Sequence, residues 1–287
     1  MHYPDLPSLI SDAKTTLARG PIALILVEDD IEIAGTITHH LKLGFRQLVL
    51  FCPLDVQIPD DLAANVHRVD FDVTAEGALA KINNAIIKAA PEQWIYYCYN
   101  AEYLMFPFCE TRSIGELLTF MTEERRDSVM SYTIDLYARD LTQTPTAVAP
   151  QAAYFDRSGY FALARQDDEG NAQERQMNIH GGLRWRFEEH IAKARQRLDR
   201  GSLYRTVPGL QMAADGSFSE PEHNTVSCPW HNNLTVATAS FRTAKALRRN
   251  PGSRHVIDTF HGAQSESFSW SSQQLLDLGL IEPGQWF

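Results

Sequence analysis

The stretch Trp94-Ile95-Tyr96-Tyr97-Cys98-Tyr99-Asn100-Ala101-Glu102-Tyr103-Leu104 runs through apolar and aromatic side chains and then meets an amide and an acid. Residues 94 to 99 carry the aromatic and β-branched bias of a strand buried on both faces, and Asn100 and Glu102 fall where that strand leaves its sheet. Ligands of open parallel sheets bind just beyond the carboxyl ends of the strands, which makes both residues site candidates. An ordinary turn after the strand is the other reading of the same letters.

Working back from this stretch, Leu6, Leu9, Ile10, Ala13 and Leu17 have helical spacing, and Gly20-Pro21 stops the pattern. Ile22 to Val27 is continuously apolar and breaks into Glu28-Asp29-Asp30, a first buried strand ending in acids. Ile33, Ile37 and Leu41 share one face of a helix expected over 31–43, which Asp29 or Asp30 could cap as readily as it could contact a ligand. Strands are expected over 48–52 and 66–71, with Asp70 and Asp72 at the end of the second, and a helix over 75–90. Strands alternating with helices argue for an α/β fold with a largely parallel central sheet flanked by helices.

Working forward, Ser113-Ile114-Gly115-Glu116 fits a capping box opening a helix that reaches about residue 124. Residues 128–138 read as a further strand, with Asp135 and Asp140 near its end as additional site candidates. Residues 142–152 and 165–176 read as loops. In His180-Gly181-Gly182-Leu183-Arg184-Trp185-Arg186, the glycines allow close backbone approach and the arginines offer planar donors to phosphate oxygens. A glycine turn entering a helix over 186–199 is the alternative. Asp215-Gly216 is a hairpin-type turn signal within an irregular segment, and a helix is expected over 234–249. The apolar tail that includes Phe268, Trp270, Leu275, Leu276 and Trp286 is expected to dock on the body or to form an oligomer contact.

Composition excludes several functions. A net charge of −10 argues against broad binding to a phosphate backbone, so no nucleic-acid partner is expected. Four widely spaced cysteines resemble neither a disulfide framework nor paired zinc ligands. No signal-like segment is visible, and no apolar run nears the ~18 residues that suggest a membrane span, so a cytoplasmic protein is expected. Neither a Gly-x-Gly-x-x-Gly nor a Gly-x-x-x-x-Gly-Lys phosphate loop is present.

His39-His40-Leu41-Lys42-Leu43-Gly44-Phe45, Trp94-Ile95 leading to Glu102-Tyr103-Leu104, and His180-Gly181-Gly182-Leu183-Arg184 occur in this order, and together they resemble bacterial glycosyltransferase family 2-like proteins. The resemblance implies a single GT-A-like core over 1–200, with a mostly helical extension over 201–287 that is irregular over 201–230. It also implies transfer of a sugar, of hexosyl type, from a nucleotide-diphosphate donor to a glycan or other hydroxyl acceptor. Glu28 and Asp29 stand where that family usually has Asn-Glu, near base or ribose; Asp70, Asn100, His180, Gly181 and Gly182 join them as substrate contacts, with Arg184 near the diphosphate. The family's Asp-x-Asp-Glu-Phe corresponds to Tyr99-Asn100-Ala101-Glu102-Tyr103, a degenerate metal motif that retains only the glutamate. Glu102 and Asp135 are the catalytic candidates, and Glu102 with His231 the metal candidates; alternatively His231 bonds a backbone carbonyl. Manganese or magnesium is then expected to bind weakly and to depend on bound donor. The runner-up is a catalytically impaired relative that binds a nucleotide sugar or glycan without turnover.

Overall fold

The computed structural model describes residues 1–229 and 232–286. The chain is mixed α/β and divides into two compact units. Unit 1 comprises Met1–Tyr103, Thr111–Met130 and Gly201–Asn224; unit 2 comprises Leu104–Glu110, Ser131–Arg200 and Thr225–Phe287.

Unit 1 is built on a mostly parallel sheet with the strand order His2–Tyr3, His67–Asp70, Gln47–Cys52, Ile22–Leu26, Trp94–Tyr99 and Asp199–Arg205. All neighbours run parallel except the last pair, in which residues 203–205 oppose 94–96. The run 94–99 lacks alternation because both faces of the strand are covered. Ile95 and Tyr97 join a core with Ile82 and Ile86 of the helix Ala78–Ala89 and with Leu6 and Leu9 of the helix Leu6–Ser11. Tyr96 lies instead beneath His40 of the helix Ile33–Lys42, the rings stacked 5.4 Å apart, with Phe45 alongside. The His40 imidazole is fully buried, which pulls its pKa down to about 3, and its Nδ1 lies 2.8 Å from the Thr36 carbonyl oxygen. It is therefore a neutral core side chain.

The expected capping box is formed: Ser113 Oγ accepts from Glu116 N, and Glu116 accepts from Ser113 N, at the start of the helix Ile114–Glu123. The leading helix is split into Leu6–Ser11 and Ala13–Thr16.

In unit 2, residues 131–135 pair in parallel with Val236–Ser240, and residues 136–138 pair antiparallel with the strand Ala153–Asp156. Three sequence expectations fail here. The segment 165–176 is not one loop: Phe161–Gln166 and Ala172–His180 form a two-stranded ribbon around a tight turn. The helix expected over 186–199 is only the short Gly182–Arg186, followed by single turns. The helix expected over 234–249 begins at Arg242, because Val236, Thr238 and their small neighbours complete a parallel strand first. Within 225–286 strands and short helices alternate, so the segment is not mostly helical. Its tail docks within unit 2, where Trp286 is buried near Phe106 and Phe108. No helix among the described residues is long and apolar enough to cross a membrane.

Candidate functional site

The strand order of unit 1 reverses between Ile22–Leu26 and Trp94–Tyr99: from the first strand the chain moves outward through 47–52 and 67–70, then returns to the other side of its start. Such reversal points are where open α/β sheets bind ligands. Glu28 and Asp29 follow the first strand and are partly exposed, and Asp30 is exposed.

Asn100 sets the shape of this edge. It is wholly buried, and its Oδ1 accepts from Glu28 N at 2.9 Å. Its Nδ2 donates to the Asp29 carbonyl oxygen (3.1 Å), to Asp29 Oδ1 (2.8 Å) and to the Ile31 carbonyl oxygen (2.8 Å). The amide thus holds the acidic loop in place. Ala101 has a left-handed backbone, with φ +63°, and its N–H donates to Thr36 Oγ1. Glu102 is wholly buried, and its Oε2 accepts from Tyr99 N at 2.9 Å, closing the same tight turn. Nearby, the Tyr103 hydroxyl donates to Glu32 Oε2, an arrangement that Gly35 permits, since a methyl group there would meet that oxygen at 2.1 Å. Asp70 lies elsewhere in unit 1, where it pairs with Arg68 and His2.

Unit 2 gathers the remaining candidates. Asp135 is fully buried and lies 3.8 Å from Arg184 Nε, with Gly182 against its carboxylate. Neither of its oxygens has a hydrogen-bond partner of normal geometry among the described residues. Burial raises its pKa, and the Arg184 charge and the nearby Thr243 hydroxyl only partly oppose this. Arg184 itself is buried, donating to the carbonyl oxygens of Arg195 and Arg197 and to Thr243 Oγ1. The paired glycines answer to packing. A methyl group on Gly181 would lie 2.7 Å from the Gly159 carbonyl oxygen, and one on Gly182 would lie 3.1 Å from Asp135 Oδ2. Alongside, Asp156 accepts from Arg186 Nη1 and from the Tyr137 hydroxyl. Asp140 instead closes a turn by accepting from Thr142.

The structure therefore brings Glu28, Asp29, Asn100 and Glu102 together within unit 1, and Asp135, His180, Gly181, Gly182 and Arg184 together within unit 2. His231 lies outside the described residues. Among those described, no three His, Cys, Asp or Glu side chains assemble as a metal-ligand group. Cys52 and Cys109 are pushed up to about 11 by burial, which keeps these thiols protonated near neutral pH.

Beside the sequence candidates His180 and Arg184, unit 2 holds a pocket whose other walls no motif in the sequence marked. It has a volume of about 170 Å³, with Phe161, Leu163 and Trp185 among its apolar lining and Glu188 and Gln196 among its polar lining. The available signal was Phe161 and Leu163 alternating with Ala162 and Ala164, a strand pattern with large apolar side chains on one face. Comparison of the chain with protein-family models and with curated proteins gives no match in either case.

Proposed function

We propose that this protein binds a nucleotide-diphosphate sugar and transfers the sugar to an acceptor hydroxyl. The observation that carries the reading is the pair Glu28 and Asp29 at the reversal point of the parallel sheet, on a loop held by the Asn100 side chain. Carboxylates there can accept hydrogen bonds from ribose hydroxyls and base N–H groups, and a loop already bonded into position spends less binding energy on ordering. The ordered resemblance to family 2-like glycosyltransferases points the same way, and it implies a carboxylate in the role of base.

A second reading, donor binding without turnover, is favoured by one observation. The positions matching the family's two metal-binding aspartates are Tyr99 and Ala101, and the retained Glu102 is buried on the Tyr99 N–H. Hard divalent cations that bridge a diphosphate depend on carboxylate oxygens. A panel of nucleotide sugars, each with and without manganese, separates the two readings when thermal shift is paired with mass spectrometry over a broad acceptor set. Transfer predicts a glycosylated product. Donor-induced stabilisation with no product across the set supports binding alone, and no stabilisation by any donor rejects both.

A further inference from the structure

The ribbon of unit 2 and the short helix that follows it expose large apolar side chains. Phe161 is 42% exposed, Leu163 55% and Trp185 52%. Apolar groups gathered beside a concavity mark a binding site more often than isolated ones do. Phe161 and His180 are cross-strand partners, with rings stacked 5.4 Å apart at 20°. Trp185 meets Phe161 nearly at right angles, 6.2 Å away, so the two rings form the walls of a corner. Glu188, Gln196 and Arg184 complete the lining.

This corner is held rigidly. Asp199 accepts from Arg165 on the ribbon at 2.8 Å, from the Ile179 N–H at 2.8 Å and from Arg197. Gln196 donates its side-chain amide to the carbonyl oxygens of Glu188 and Ile191, which fixes the opposite wall. Ligand binding therefore requires little ordering of the pocket.

We propose that this pocket is a saccharide subsite that takes one neutral sugar ring. Three properties select that chemistry. The volume, about 170 Å³, is well below the roughly 300 Å³ at which drug-sized sites begin, and suits one ring rather than a chain. The aromatic walls present electron-rich faces, which attract the positively polarised C–H face of a pyranose. The lining holds both a guanidinium and a carboxylate: the first disfavours a cation and the second an anion. Sugar hydroxyls accept from the guanidinium and donate to the carboxylate. Sugar binding here does not rest on the reading proposed above.

The test is saturation-transfer NMR on the full chain with methyl glycosides of glucose, galactose, mannose and N-acetylglucosamine, without nucleotide. At least one glycoside should bind saturably in the millimolar range. Trp185→Ala should weaken it about tenfold or more, equivalent to about 1.4 kcal/mol, while Trp185→Phe retains part of the affinity. Because Trp185 is half exposed, both variants should melt with the wild type; should Trp185→Ala fail to fold, Trp185→Phe and Glu188→Ala give the same comparison. The proposal is overturned if no glycoside binds, if these variants bind unchanged, or if only tetramethylammonium, inorganic phosphate or phospholipid vesicles bind at the pocket. A parallel titration with nucleoside diphosphate alone reports on the transferase reading, so either can fail while the other stands.

Discussion

Asn100 and aspartate differ little in shape and wholly in hydrogen bonding. Replacing Asn100 with Asp turns a donor that faces Asp29 Oδ1 and two carbonyl oxygens into an acceptor facing acceptors. Burying unmatched groups of this kind costs about 1–3 kcal/mol each, and more when one is charged. Asn100→Asp should therefore lower unfolding stability at neutral pH by several kcal/mol in chemical denaturation, with part of the loss recovered as pH falls toward about 4, because a carboxyl buried among acceptors protonates above the unfolded value. Loss below about 0.5 kcal/mol would remove Asn100 as the residue that holds the loop, since a surface substitution costs no more than that. Asp135 already has this dependence on pH in the native chain. Burial raises its folded-state pKa above the ordinary 3.8, so the native protein holds that proton more tightly than the unfolded chain does. Its contribution to stability is then fully present below about 3.8 and falls as pH rises through the folded-state pKa. Asp135→Asn should accordingly gain stability relative to wild type between about pH 4 and pH 7, as read from denaturation midpoints. A difference that stays constant or reverses over that range would mean that Arg184 outweighs burial. At this scale the letters identified which residues were notable but not their partners. Asn100 and Asp135 stood out at strand ends, yet whether each faced a ligand or a neighbouring loop depended on contacts with residues 28–31 and 182–184, distant in sequence.

Among elements, those defined by local chemistry were readable. The strand Trp94–Tyr99, the capped helix Ile114–Glu123 and the turn at Asp215-Gly216 follow from runs, caps and turn residues visible in sequence. Those defined by a partner were not. Val236–Ser240 lies among helix-tolerant alanines, and it becomes a strand because residues 131–135 offer it a parallel ladder. The ribbon 161–180 escaped notice because its charged turn, 167–171, dominates the composition of a stretch whose flanks alternate. The His180-Gly181-Gly182 element illustrates both cases. Glycine was expected there for close approach, and the group approached is the chain itself. Gly181 has φ +142° and its Cα faces the Gly159 carbonyl oxygen, so Gly181→Ala introduces both backbone strain and a clash with main chain. The expected cost is about 2–6 kcal/mol, since strained backbone and overpacking each cost about 1–3 kcal/mol. A change in the denaturation midpoint corresponding to less than about 0.5 kcal/mol would show that the contact relaxes freely.

On the scale of the whole molecule, a net charge of −10 argues against broad phosphate-backbone binding and leaves small anionic ligands open, and the parallel sheet of unit 1 has the reversal point on which the proposed reading rests. What composition could not supply was the pocket of unit 2, because it depends on the ribbon placing Phe161 near Trp185, 24 positions later in the chain. The central claim is that the acids at the reversal point of unit 1 hold a nucleotide. Isothermal titration of a panel of nucleotide-diphosphate sugars into wild type and Glu28→Gln tests it most directly, because that variant keeps the side chain's size and the backbone N–H that Asn100 accepts. The account predicts saturable binding of at least one donor by wild type and about tenfold weaker binding by Glu28→Gln at unchanged melting temperature, the equivalent of about 1.4 kcal/mol. Absence of binding by every donor, or identical affinity in the two proteins, would contradict it.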